Sequence, residues 1–144
     1  MKRFAAATLL LAGLSCQEPP KTMEMEQAIS GLAHLHSWDP IRQGGGQYGY
    51  DAVVGRVPDI LPILVEHVTD ETPTAIYHRE TGRNPNVGDC SFLILLRILN
   101  LHWQEFAEDG VFVSSALPNP IFCIKWDGPA ARLKAQQRLR ELLP

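Results

Sequence analysis

Residues 89–101 have the sequence DCSFLILLRILNL, which predicts the central helix of the fold. Large apolar side chains occupy most of its positions, and burying about five of them stabilises a fold by roughly 1.5–3 kcal/mol each before chain entropy is counted. Asp89 is the expected cap of this helix. A polar stripe along it consists of Arg97, Asn100, Gln104 and Glu108. The stripe predicts that the helix continues to about Glu108, with the rest of the chain packed around it.

The flanking segments predict three more helices. The first covers residues 22–36, with Thr22 as its expected cap, and the second covers residues 60–69. The last covers residues 129–143, with Asp127 as its expected cap. The apolar positions that should face inward on the last helix are Ala131, Ala135, Leu139, Leu142 and Leu143.

Two short apolar segments, residues 111–113 and 121–124, are typical of strands or of extended cover segments. Residues 44–55 contain five glycines, which predicts a long loop because each glycine inside a helix costs about 1 kcal/mol. The expected fold is therefore mainly α, a small domain of about four helices with long loops and a minor two-stranded β element.

The composition describes one globular domain. The chain has 144 residues, of which 45% are hydrophobic and 20% charged, so it has enough apolar material for a core. A net charge of −3 argues against nucleic-acid binding, which usually needs a basic domain. Residues 129–144 carry four basic side chains against one acidic one. These cations either complement the dipole of the last helix on a solvated face or contact an anionic surface.

The N-terminus has the layout of an export signal. Lys2 and Arg3 precede an uncharged run of 11 residues, Phe4 to Leu14, which is too short to span a bilayer. The run ends in Ala-Gly-Leu-Ser-Cys at residues 12–16, which resembles the lipobox of bacterial lipoproteins. The resemblance implies cleavage before Cys16 and a lipid on that cysteine.

Under this interpretation residues 1–15 are a signal peptide, residues 16–21 a tether and residues 22–144 the domain. The loss of Lys2 and Arg3 would change the net charge from −3 to −5. Gln17, rather than Asp, follows the cysteine, which resembles the pattern of lipoproteins sorted to the outer membrane and facing the periplasm. Simple secretion and a retained apolar first helix are the alternatives.

Residues 57–101 resemble a single HEAT-type repeat. The matching segments are Pro58-Asp59-Ile60-Leu61-Pro62-Ile63-Leu64-Val65, then Asp70-Glu71-Thr72, then Val87-Gly88-Asp89-Cys90 before an apolar helix. The resemblance implies an antiparallel helix pair and protein binding, and it carries over no catalytic residue.

Few residues form a pattern with specific chemistry. Gly44 to Gly49 has the spacing G-x-G-x-x-G, but no strand or helix flanks it, so we expect no dinucleotide site and no other cofactor. The histidines show no metal-ligand spacing, and we expect no metal. Cys90 and Cys123 would form a disulfide in an exported domain or, alternatively, remain two buried thiols.

These observations favour a non-catalytic, protein-binding or scaffold lipoprotein of the cell envelope, held to the membrane by the lipid on Cys16. The aromatic residues predicted to lie in loops, and so to form the partner surface, are Trp38, Tyr48, Tyr50 and Tyr77. The alternative is a small envelope hydrolase or metal-binding protein. It would use His67, His78, Asp89 and Cys90.

Overall fold

The computed structural model describes residues 21–35, 52–77, 82–113, 121 and 123–143. Within these ranges the chain is mainly helical, with one small antiparallel two-stranded sheet, so the predicted fold class is confirmed. Predictions for the signal peptide, Cys16, Trp38, Tyr48, Tyr50 and His78 lie outside the described residues, as do residues 16–20 of the tether and residues 44–51 of the glycine-rich loop. Lys21 is helical, and so are residues 52–54, where the sequence predicted a loop. Val53 is 0% exposed, so packing against the core explains the helical conformation at the end of the predicted loop. No helix in the described part of the chain has the length and apolar character needed to cross a membrane.

The α-helices are α1 (Lys21–Ser30), α2 (Leu61–Glu66), α3 (Val87–Ile98) and α4 (Pro129–Leu142). The 3-10 helices are Gly31–His34, His67–Thr69 and Trp103–Asp109. Strands β1 (Val111–Val113) and β2 (Ile124–Trp126) form the sheet. The first two predicted helices therefore each divide into an α-helix and a tighter 3-10 turn, and Thr22 lies inside α1 rather than capping it.

The cap of α3 differs from the prediction. Asn86 is the capping residue, and its side-chain oxygen accepts a hydrogen bond of 2.8 Å from the backbone N–H of Asp89. The carboxylate of Asp89 in turn accepts one of 3.2 Å from the backbone N–H of Asn86. This reciprocal arrangement is a capping box, so Asp89 closes the box from within the first turn.

The end of α3 also differs from the prediction that the helix continues to Glu108. Asn100 adopts a left-handed conformation with φ of 53°, and the N–H of Leu101 bonds to the carbonyl of Leu96 at 2.8 Å. This is the Schellman motif, in which asparagine is one of the few residues other than glycine to tolerate the left-handed position. The chain then turns, and residues 103–109 form a separate 3-10 helix.

The sheet matches the first predicted strand and shifts the second. β1 pairs with β2 so that Val111 lies opposite Trp126 and Val113 lies opposite Ile124. The predicted second strand at residues 121–124 therefore overlaps β2 only at Ile124. This register places both pairs on one face of the sheet, where Val111 and Ile124 are buried in the core.

The last helix begins at Pro129, as predicted, but Asp127 does not cap it. Gly128 is the capping residue, with φ of 74°, a conformation that glycine adopts without strain. Ala131, Ala135 and Leu139 are buried as expected, whereas Leu142 is 46% exposed and so does not face inward.

The core surrounds α3. Phe92 packs edge-on against Phe106 and Trp126, with ring centroids 5.2 and 5.0 Å away. Besides Phe92 and Phe106, the large and fully buried side chains are Ile29, Leu32, Val53, Ile60, Leu64, Ile94, Leu95, Ile121, Ile124 and Leu139. Every described helix thus contributes to one continuous core, and a group of polar residues around Asp89 lies at its edge.

Candidate functional site

A buried acidic residue, Asp89, lies at the junction of α3, α4 and the sheet. Its Oδ1 accepts hydrogen bonds of 2.8 Å from Arg132 Nη2 and 2.8 Å from Trp126 Nε1. Its Oδ2 accepts the Asn86 N–H at 3.2 Å and a weaker contact from Arg83 Nη2 at 3.4 Å. Because both oxygens are occupied and the residue is 0% exposed, this carboxylate holds elements together and does not face a substrate.

The guanidinium of Arg132 is the second centre of this network. It donates to the carbonyl of Val68 at 2.9 Å and to the side chain of Asn86 at 3.3 Å, besides its bond to Asp89. It also lies 4.5 Å above the ring centroid of Trp126, in a cation–π contact. Arg132 therefore joins the ends of α2 and α3 to β2 through a single side chain.

Gly88 makes room for that guanidinium. A β-carbon at this position would lie 2.6 Å from Arg132 Nη1 and 2.9 Å from the carbonyl oxygen of Asp70, and it would also overlap the carbonyl of Val68. The backbone N–H of Gly88 donates to the carbonyl of Asp70 at 2.8 Å. The close approach of two chain segments explains why glycine stands between Val87 and Asp89.

Three residues of α4, spaced four apart, bind the C-terminal end of α2. Arg132 donates to the Val68 carbonyl, and Gln136 donates to the carbonyls of Val65 and Glu66 at 3.1 and 2.9 Å. One turn later, Arg140 makes a two-bond contact with the Glu66 carboxylate at 2.7 and 2.9 Å. Donors at this position satisfy carbonyls that the end of a helix leaves without an intrahelical partner.

Ion pairs between α4 and the rest of the domain account for much of the charge asymmetry of the sequence. Arg132 pairs with Asp89, Arg140 with Glu66, and Arg138 with Asp109 at 3.2 Å. The hydrogen bonds from Arg140 lower the pKa of Glu66, although its slight burial opposes the shift. The basic last helix and the acidic body therefore complement each other within one molecule.

The burial of Arg132 and Gln136 was not predicted from the sequence. The basic residues of the last helix were expected on a solvated face or against an anionic surface, and Gln136 was not singled out. Arg132 and Gln136 are both buried, with relative exposures of 6% and 5%. A signal was present, since each directly follows a buried alanine, Ala131 or Ala135. Small neighbours let the backbone of α4 come close enough for a longer polar side chain to reach the facing helix end.

The thiol of Cys90 is in an unreactive environment. The residue is fully buried, and burial, with a smaller contribution from the charge of Asp89, raises its pKa far above the ordinary range. A thiol nucleophile needs the opposite shift. Cys123 is also buried, and the structure has both residues as thiols, which is one of the two alternatives that the sequence left open. Their oxidation in an exported protein stays a prediction.

His67, the remaining described member of the alternative set, lies between two carboxylates. Its Nδ1 is 3.0 Å from Asp70 Oδ2 and its Nε2 is 2.8 Å from Glu26 Oε2. Among the described residues, no group of three or more histidine, cysteine or acidic side chains is arranged to hold a metal ion. Asp89, Cys90 and His67 thus each take part in packing or in contacts between elements.

Tyr77 is the candidate partner residue that the structure describes, and it is 59% exposed. The segment before it is held firmly. Thr74 bonds to the Pro85 carbonyl through its backbone N–H at 2.9 Å and its hydroxyl at 2.8 Å, and the N–H of Ala75 donates to the Ala33 carbonyl at 2.9 Å. Ile76, the residue directly before Tyr77, is 2% exposed and is therefore anchored in the core.

Comparisons of the chain with protein-family models, with curated proteins and with solved structures find no match.

Proposed function

We propose that this chain is a non-catalytic binding domain of the bacterial cell envelope, anchored by lipid on Cys16 in the outer membrane, and that it captures a protein partner through the surface around Tyr77. The anchor rests on the sequence of residues 1–16, whose positive start, short apolar run and terminal cysteine resemble a lipoprotein signal. The binding role rests on the described domain.

The exposure of Tyr77 is the observation that carries the binding role. Tyrosine presents a large, amphipathic contact area with little side-chain freedom to lose, and it is enriched among the residues that dominate interface energies. Here it follows a segment that is fixed to the 3-10 helix after α1 and to the turn before α3 by backbone hydrogen bonds. A partner would therefore bind Tyr77 without paying the full cost of ordering a loop.

The surroundings of the alternative residues favour a non-catalytic role. Asp89 already accepts hydrogen bonds at both oxygens, and the Cys90 thiol is buried with a raised pKa. A hydrolase needs its nucleophile and base to face a bound substrate. In this domain the same residue types contribute to the stability of the core.

Partner capture tests the binding role. The full chain, immobilised, is exposed to a solubilised envelope fraction, and captured proteins are compared with those captured by Tyr77→Ala. The matched control is Leu142→Ala, which removes another exposed apolar side chain, 46% exposed, from the end of α4. We expect Tyr77→Ala to lose a protein that the wild type and Leu142→Ala both retain. Identical capture by all three would overturn the role of Tyr77.

Metabolic labelling tests the anchor separately. Cells grown with a labelled fatty acid should incorporate it into the wild-type chain and not into Cys16→Ala, which should also leave the membrane fraction. Equal membrane retention of the unlabelled variant would show that lipid on Cys16 does not hold the protein there.

A further inference from the structure

His67 connects two elements through one imidazole ring. The residue is the first of the 3-10 helix that follows α2, and its side chain is 23% exposed. One ring nitrogen contacts Asp70, three residues along the chain, and the other contacts Glu26 on α1, 41 residues away. The second contact joins α1 to the end of α2.

The two contacts together favour the protonated form of the ring. An ionised carboxylate offers only acceptors, and a neutral imidazole has a single N–H. With carboxylate oxygens 3.0 and 2.8 Å from its two nitrogens, His67 can donate both hydrogen bonds only as the imidazolium. Hydrogen bonds between charged groups of this kind are about twice as strong as neutral ones.

Charged groups from every neighbouring element surround this ring. Glu26 faces it from α1, and Glu66 and Asp70 flank it along the chain. From α4, Arg140 binds Glu66, while the charge of Arg132 near the Val68 carbonyl is paired with Asp89 of α3. The nearest partners of the imidazolium are thus acidic, and the nearby cations are already paired.

We propose that the protonated His67 is a pH-dependent clasp that holds α1 against the end of α2. Other contacts also hold α1, namely its buried face and the exposed ion pair between Lys21 and Asp59. The clasp therefore adjusts how firmly α1 is docked and does not release it completely. It lies within the described domain and is independent of the lipid anchor and of the partner.

The direction of the effect follows from the titration of the ring. Burial tends to lower the pKa of His67, but its hydrogen bonds to Glu26 and Asp70 and their charges outweigh burial, so the pKa is raised. A raised pKa in the folded state means that the clasp contributes fully below the unfolded value of about 6.5. Its contribution is lost as the pH rises through the higher, folded value.

Hydrogen exchange of the full chain, measured by mass spectrometry at about pH 5.5 and about pH 8.5 and corrected for intrinsic exchange, tests the clasp. The backbone amides of α1 should lose about 1.5- to fivefold in protection at the higher pH, the range expected for partly exposed ion pairs. His67→Gln and Glu26→Gln should abolish this dependence, and amides of α4 report on the rest of the fold.

His102→Gln is the matched control, since His102 is exposed and lies outside the contact with α1. It should retain the wild-type dependence. The same pH dependence in His67→Gln as in the wild type would overturn the clasp. A second measurement needs no substitution: an NMR titration of the His67 ring in the wild type that gave a pKa at or below about 6.5 would also overturn it.

Discussion

Arg132 Nη2 lies 2.8 Å from Asp89 Oδ1, and these two side chains, 43 residues apart in the chain, are both buried. Removing one partner of such a pair leaves an uncompensated buried charge, which typically costs about 3–5 kcal/mol. Asp89→Asn should therefore lower the free energy of unfolding by about that amount, as measured by urea denaturation.

The partly exposed pair of Arg138 and Asp109 is the matched control for that measurement. Arg138→Gln should cost no more than about 1 kcal/mol, because solvent screens the pair. Equal losses in Asp89→Asn and Arg138→Gln would mean that burial does not distinguish the two contacts.

Gly88 should tolerate no larger residue. In Gly88→Ala the new methyl group would overlap the carbonyl of Val68 and the guanidinium of Arg132, so we expect a loss of about 3 kcal/mol or more. Gly82→Ala is the comparison, because Gly82 has φ of 61° and no atom of the described residues lies within 4 Å of its β-carbon position. It should lose only about 1–2 kcal/mol, through backbone strain. A smaller loss in Gly88→Ala than in Gly82→Ala would contradict the close approach.

Gln136 should contribute to stability through its two carbonyl partners at the end of α2. Gln136→Leu keeps a similar volume but removes the donor to Val65 and Glu66, and it should cost about 1–3 kcal/mol in thermal or urea unfolding. Gln137→Leu, on the exposed side of the same helix, should change stability by less than about 0.5 kcal/mol. Equal effects of both substitutions would argue against the contact with α2.

Ser91 should be replaceable without loss. Its hydroxyl is buried and has no hydrogen-bond partner among the described residues. Ser91→Ala should leave stability unchanged or raise it by up to about 1 kcal/mol, since alanine is the better helix former.

Thr74→Val removes a buried hydroxyl that does have hydrogen-bond partners, and its stability is compared with that of Ser91→Ala. The Thr74 hydroxyl donates to the Pro85 carbonyl at 2.8 Å and accepts from the Ile76 N–H at 3.3 Å, so this variant should lose about 1–2 kcal/mol. A clear destabilisation by Ser91→Ala would indicate that its hydroxyl has a partner.

The apolar residue patterns predicted most of the secondary structure of this fold. The polar residues did not predict which side chains bond to each other. The central helix, the short strand at Val111–Val113 and the start of the last helix at Pro129 follow from local preferences. Arg132 is buried because it pairs with Asp89, 43 residues away along the chain, and a local sequence pattern cannot reveal a contact over that separation. Pairing over such a separation is a property of the packed chain.

The ends of α3 show a different reason for error. Asn86 and Asp89 are both good capping residues three positions apart, which is itself the spacing of a capping box, so the sequence could have identified Asn86. The left-handed turn at Asn100 had no such signal, because asparagine inside a helical pattern is usually a surface residue.

The order of the chain gives the Asp89 network a consequence for synthesis. The acidic residue precedes its two strongest donors, Trp126 and Arg132, by 37 and 43 residues. A growing chain that ends before Trp126 would have to bury Asp89 without either donor, so native packing of α3 must wait for the last helix. We therefore expect the domain to stay unfolded until its last helix has been synthesised, a property that suits the export predicted from the N-terminal sequence.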